Sequence, residues 1–154
     1  MLIIRDYKEQ DAKESWLLFF NTVRKVNSND YTQAQVSAWA TESMDMFIWN
    51  KRMSDIEPFI AEIDGKIVGY ADLQNDGLIE LFFVHADYQK QGIAKALMAH
   101  ILSDAKQRKI KSLFAQVSIT AKPFFESIGF NVAEALLVEV KEETLVCYSM
   151  KKMR

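Results

Sequence analysis

The apolar positions change period several times along the chain, and each change marks an element. "LIIRD" (Leu2 to Asp6) reads as a short strand; in "EQDAKESWLLFFNTVRKV" the residues Trp16, Phe19, Phe20, Val23 and Val26 recur at helical spacing. "NSND" breaks that pattern. In "TQAQ" Thr32 and Gln35 have the spacing of a capping box ahead of Val36 and Trp39, which predicts a second, shorter helix, and "DMFIWNKRMSDI" reads as a third helical piece of looser period. From Pro58 the period falls to two. "FIAEID" and "KIVGYADL" are β-rich runs joined by Asp64-Gly65, and "NDG" (Asn75 to Gly77) separates the second from "LIELFFV", so a meander of three antiparallel strands is expected. A long helix follows Gly92. After it come a strand "SLFAQVS", a short helix "TAKPFFESIG" closed by Gly129, and two further strands, "FNVAEALLVEV" and "ETLVCYSMKK".

This order predicts an α/β fold: a mixed, mostly antiparallel sheet of about seven strands with helices on both faces. The alternative is a meander with helices on one face only. At 154 residues, with 49% apolar and 26% charged residues, the expectation is one globular domain over residues 1–154, without repeat, linker or low-complexity tract. A net charge of -2 supplies no field for nucleic acid or an anionic membrane, so an anion site has to be local. Cys147 is the single cysteine, which leaves no intrachain disulfide, and His85 and His100 lack partners at ligand spacing, so no metal is expected. Charge arrives at Arg5, too early for a signal peptide or membrane span, and a cytoplasmic location is expected.

The stretch "VHADYQKQGIAKALMAHIL" (Val84 to Leu102) carries the chemistry. A strand ends in a polar turn, and a helix starts at Gly92 without a Ser, Thr, Asp or Asn to cap it. The first N–H groups of a helix have no partner within it, and a ligand anion can take the place of a cap. Gly92 permits close approach, Ala94 keeps the next turn small, and Gln89, Lys90, Gln91 and Lys95 bring amide donors and positive charge. A phosphate or diphosphate fits. Neither the three glycines of a dinucleotide fingerprint nor the Gly-Lys-Ser/Thr of a P-loop is present.

"IELFFVHADYQKQGIAKALM" resembles the acyl-coenzyme A motif of the GCN5-related N-acetyltransferases (GNAT superfamily), Gln/Arg-x-x-Gly-x-Gly/Ala after a hydrophobic strand. "SITAKPFFESIGF" (Ser118 to Phe130) resembles that family's later Asn-x-x-Ala-x-x-Phe-Tyr-Glu-x-x-Gly-Phe segment. The same segment, with "NTVRKVNSNDYTQAQVSAWA", is similar to the bacterial YafP-like subgroup. The resemblance implies acetyl-coenzyme A as co-substrate and a strand splayed from its parallel neighbour. Phe82, Phe83 and Val84 would then receive the acyl group and pantetheine arm, and Gln89 to Lys95, with Ile93 and Ala94, the pyrophosphate. Ser118 stands where an asparagine often contacts the coenzyme near its thiol. Phe125 stands where a tyrosine is thought to protonate the departing thiolate, and phenylalanine has no proton to give. Either another donor serves, Tyr148 or Ser118, or the thiolate leaves without one. Ala86 replaces a common proline.

Acetyl transfer to an amine needs a base. Glu80 falls where some relatives carry one, and by strand alternation it shares a face with Phe82 and Val84. It reads equally as a half-exposed carboxylate paired with a neighbouring lysine. The acceptor wall in this family comes from the first two helices and the last strands, which here implies Asn29, Asp30, Tyr31 and Trp39; taken alone, Trp39 reads as core and Tyr31 as partly buried. The expected partner is a small-molecule or peptide amine, without nucleic acid or membrane, and a homodimer by analogy. Two other readings stay open: an acyl-coenzyme A sensor of the same fold, kept alive by Phe125, and an unrelated α/β domain binding another phosphate ligand.

Overall fold

The computed structural model describes residues 1–153. β1 (Leu2–Asp6) leads through a 3-10 turn into α1 (Ala12–Lys25), followed by α2 (Gln33–Trp39) and α3 (Met46–Ile56). The capping box forms as its spacing predicts: Thr32 Oγ1 accepts from Gln35 N at 3.1 Å while Gln35 Oε1 accepts from Thr32 N at 2.8 Å. Asp45 caps α3 by accepting from Phe47 N at 2.8 Å. Then come β2 (Phe59–Ile63), β3 (Lys66–Ala71), β4 (Leu78–Ile79), β5 (Phe82–Val84), α4 (Ile93–Gln107), β6 (Ser112–Ser118), α5 (Lys122–Ser127), β7 (Asn131–Val140) and β8 (Glu143–Met153).

Helices cover both faces. Side chains of α1, α2 and α3, among them Trp16, Phe19, Val23, Val36, Trp49 and Met53, form one core. Those of α4 and α5, among them Ile93, Leu97, Met98, Ile101 and Phe125, form the other. Neighbouring strand residues divide between the two, Ile60, Ile67 and Tyr70 to the first and Ala61, Val68 and Ala71 to the second. The arrangement with helices on one face is therefore excluded. Among the described residues no helix is long and apolar enough to cross a membrane.

The strands form two four-stranded sheets, β1-β2-β3-β5 and β4-β6-β8-β7. "LIELFFV", expected as one strand, is two, which raises the count to eight. Leu78 and Ile79 run parallel to Phe114 and Ala115 of β6, whereas Phe82 to Val84 run antiparallel to β3. Asp72 causes the break. It is fully buried, and its Oδ1 accepts from Glu80 N at 2.8 Å and from Leu81 N at 2.7 Å, while Oδ2 accepts from Gln74 Nε2 at 2.9 Å. Where the chain changes strand partner, this carboxylate takes the two N–H groups that no ladder receives.

Gly69 sets the distance between β3 and α4. A Cβ there would lie 3.0 Å from the Phe83 carbonyl oxygen and 3.1 Å from side-chain carbons of both Ile93 and Leu97. Without that atom the first turns of α4 lie directly on the sheet, and the helix start is held beside β5.

Burial pushes the Asp72 carboxyl above the ordinary carboxylate range, against the N–H donors and Gln74 that pull it down. A native pKa above the unfolded one means the native state keeps the proton longer. Stability from this group is therefore greatest at low pH and declines as pH rises above about 4. In urea titrations, the unfolding free energy of the wild type minus that of Asp72→Asn is expected to be larger near about pH 4.5 than near about pH 7. A difference that grows with pH contradicts this.

Candidate active site

β4 pairs with β6 only at Leu78↔Phe114 and Ile79↔Ala115. Past that point Glu80 to Val84 diverge from Gln116, Val117 and Ser118, because β5 has turned to β3. Two cavities open in the wedge. One, of about 300 Å³, is bordered by Trp16, Phe19, Trp39 and Trp49 with Arg52, Glu80 and Gln116 as its polar groups. The other is a slot of about 140 Å³ reaching from Phe124 to Gln89 and Ala94, with Thr22, Asn27 and Thr120 along it. They meet at Phe82, Phe83, Ser118, Ala121 and Phe125, which line both. A wider cleft of about 900 Å³, lined by Asp55, Asp76, Asp104 and Arg108 among others, shares no residue with either.

The rings of β5 straddle the sheet. Phe82 lies 5.6 and 5.4 Å from Phe124 and Phe125 on the α5 side, and Phe83 lies 5.1 Å from Phe19 on the α1 side. Phe125 is buried, with Phe130 at 5.0 Å, so an aromatic cluster fills the place where a hydroxyl was sought. Ser118 Oγ accepts from Ala121 N at 3.1 Å and, at a long 3.4 Å, from Asn27 Nδ2.

At the slot's far end α4 starts as the sequence predicts. Gly92 occupies the cap position with φ 83°, no side chain caps the helix, and a Cβ on Gly92 would meet nothing within 4 Å. Ile93 is buried as the anchor, Ala94 lines the slot, and Lys90, Gln91 and Lys95 are exposed. Gln89 is used differently from expectation. Its amide donates to the carbonyl of Val84 at 2.8 Å and that of His85 at 3.3 Å, and Thr22 Oγ1 donates to the same Val84 oxygen at 3.0 Å. Gln89 thus braces the loop, and the free N–H groups are those of the helix start.

Glu80 sits in the break between β4 and β5, where Asp72 rather than strand alternation sets its position. Arg52 donates to Oε2 through Nη2 at 2.9 Å and Nε at 3.3 Å, and Gln74 Nε2 donates to Oε1 at 3.1 Å. Its cationic partner is thus an arginine of α3 and not a neighbouring lysine. Arg52 was missed in the sequence because nothing in "WNKRMSD" relates it to a residue 28 positions away.

Other expected residues lie elsewhere. Tyr148 pairs with Val117 across β6 and β8, on the opposite sheet face from the Ser118 and Cys147 pair, with Lys122 Nζ 5.1 Å from its ring centre. Tyr148 lines neither the larger cavity nor the slot. Tyr31 is buried; its hydroxyl donates to Val146 O at 2.6 Å and accepts from Ile119 N at 2.9 Å, so it ties the chain before α2 to β8 and serves structure. Asn29 and Asp30 are exposed and border none of these cavities. Trp39 is half-buried, and it lines both the larger cavity and a smaller apolar one of about 130 Å³ beside Tyr31 and Cys147, so it is a wall residue as well as a packing one. Burial pushes the Cys147 thiol up, which favours the protonated form. Among the described residues no three His, Cys, Asp or Glu side chains are grouped to hold a metal ion.

Comparison with known proteins agrees with this geometry. The family model of the acetyltransferase (GNAT) domain matches residues 27–153. The uncharacterized N-acetyltransferase YafP of Escherichia coli (strain K12) is 30% identical over 138 residues, 90% of this chain and 87% of YafP. A GCN5-related N-acetyltransferase structure from Rhodopseudomonas palustris superposes with a TM-score of 0.93 at 26% identity, covering 99% of this chain and 95% of that one. The PaiA N-acetyltransferase of Thermoplasma acidophilum, solved in complex with coenzyme A, shares the fold with a TM-score of 0.78 at 14% identity, covering 100% of this chain and 99% of that one.

The brace at Gln89 can be tested by chemistry at constant shape. Gln89→Ala is expected to cost about 1 kcal/mol in urea unfolding, and Gln89→Glu more, because a carboxylate facing two carbonyl oxygens can only accept. A Glu variant more stable than the Ala variant near neutral pH contradicts the assignment.

Proposed function

The chain belongs to the GNAT acetyltransferase family, and on that premise we propose that it moves an acetyl group from acetyl-coenzyme A to a primary amine of a small molecule or peptide, by direct attack on the thioester. The observation that carries this reading is the junction at Phe82, Phe83, Ser118, Ala121 and Phe125, where the narrow slot opens into the larger cavity between the parted strands. The slot suits the narrow arm of a long donor and the cavity an acceptor, and these five residues are where the two meet.

The residues present suit such a donor. The uncapped start of α4 offers backbone N–H groups and the positive end of its dipole to a diphosphate, with open space above Gly92 and Lys90 and Lys95 beside it. The buried hydroxyl of Thr120 lines the slot without a hydrogen-bond partner. The second edge of β5 makes no strand pair where it faces β6, its Val84 carbonyl being held by Gln89 and Thr22, and lies along the slot to receive an extended arm.

In the acceptor cavity Glu80 is the carboxylate in reach, and its role is to take the proton that the ammonium must lose before its nitrogen attacks, directly or through water. Arg52 and Gln74 hold the carboxylate in place at the cavity wall. Phe125 supplies packing and no proton.

Acetyl-coenzyme A is expected to raise the melting temperature, and a panel of primary amines to reveal acceptor-dependent thiol release. Glu80→Gln is expected to lower turnover of the acceptor so found by about 100-fold or more and to flatten its pH profile, while the thermal shift with acetyl-coenzyme A stays within error. Unchanged turnover across pH removes Glu80 from the mechanism. Coenzyme binding without thiol release to any amine would favour the sensor reading.

A further inference from the structure

Among the described residues two buried side-chain polar atoms lack a hydrogen-bond partner, Tyr70 Oη and Thr120 Oγ1. Buried polar groups are paired almost without exception, so each calls for a reason. Tyr70 is packed in the α1 to α3 core, 6.0 Å from the Phe83 ring, and lines neither cavity. Thr120 lines the slot.

Thr120 lies in sequence between Ser118 and Ala121, both of which line the slot and the acceptor cavity, and itself lines the slot. Of the nearby hydroxyls, Thr22 Oγ1 donates to Val84 O, whereas Ser118 Oγ accepts from Ala121 N and Asn27 Nδ2 and keeps its own proton to donate, which makes it the rival to be tested. Phe82, Phe83, Phe124 and Phe125 all line the slot, and none of these rings carries a hydroxyl.

We propose that the Thr120 hydroxyl donates a hydrogen bond to the sulfur of coenzyme A, stabilising at the leaving group the charge for which position 125 has no donor. This rests on the acetyl-transfer reading above. During transfer the amine nitrogen forms a bond to the acetyl carbon, the carbon–sulfur bond breaks, and sulfur departs with the electron pair as thiolate. The proton lost by the nitrogen passes to Glu80 or water, and the thiolate takes one from solvent. Thr120 keeps its proton throughout, since an alcohol is too weak an acid to surrender it, and its bond strengthens as charge develops on sulfur.

The test needs no acceptor. Coenzyme A itself is titrated into wild type, Thr120→Val, Thr120→Ser and Ser118→Ala by calorimetry near about pH 6 and near about pH 9, on either side of the ordinary thiol pKa of about 8.5. For Thr120→Val the expected result is about tenfold weaker binding at the higher pH, where the thiolate is bound, and a much smaller loss at the lower. Thr120→Ser should restore wild-type affinity, and Ser118→Ala should not reproduce the pH-dependent loss. Without coenzyme, Thr120→Val should melt at or above the wild-type temperature, because the valine leaves no unpaired hydroxyl. Equal losses at both pH values, a loss that follows Ser118 instead, or a marked fall in melting temperature without coenzyme overturns the proposal. If Thr120→Val does not fold, Thr120→Ala takes its place in the same comparison with serine. A wild type that binds no coenzyme A at either pH overturns the transferase reading and this inference with it, whereas a wild type that binds beside an unimpaired Thr120→Val overturns Thr120 alone.

Discussion

One buried carboxylate organises the centre of this molecule. Asp72 accepts the N–H groups of Glu80 and Leu81 and so allows a single run of chain to leave β6 and join β3 within two residues. Were the run to continue beside β6, the wedge would close and its ladder would consume the polar groups that now border the slot. A buried charge is costly, and three donors offset that cost here, two of them backbone groups that would otherwise be unsatisfied at the break.

The same carboxylate places the chemistry. Because Asp72 holds its backbone N–H, Glu80 projects at the break toward Arg52 and the larger cavity. Gly69 makes a second, steric contribution, since the contact of α4 with β3 fixes where the uncapped helix start meets the slot. Gln89 and Thr22 both grip the Val84 carbonyl and hold the end of β5 in line with that helix. The narrow slot, Glu80 and the helix start are thus set by contacts among β3, the broken strand and α4.

Much of this was legible in the chain. The capping box at Thr32 and Gln35, the glycine start of α4, and the helix closed near Gly129 depend on neighbours within a few residues, and the structure contains all three. Period-two runs predicted the strands and their side-chain alternation. That rule failed at Glu80, because "LIELFFV" has no Gly or Pro to signal a break; the signal lies in Asp72, eight residues earlier, and becomes visible only when the turn brings the two together. Arg52 was illegible for a similar reason, and the bond from Tyr31 to Val146 spans 115 residues, so an aromatic assigned to the acceptor wall became a strut.

Local patterning by itself determined most of the element order and the uncapped helix, since periodicity and capping act over one or two turns of chain, and left helices on one face or both for packing to decide. Tertiary structure decided where the strand breaks, which cation meets Glu80, that Gln89 spends its amide on the loop, and that Thr120 faces the slot unpaired. These depend on desolvated polar groups finding partners across the fold, and a group's remaining valence is defined only after every packed neighbour has taken its share.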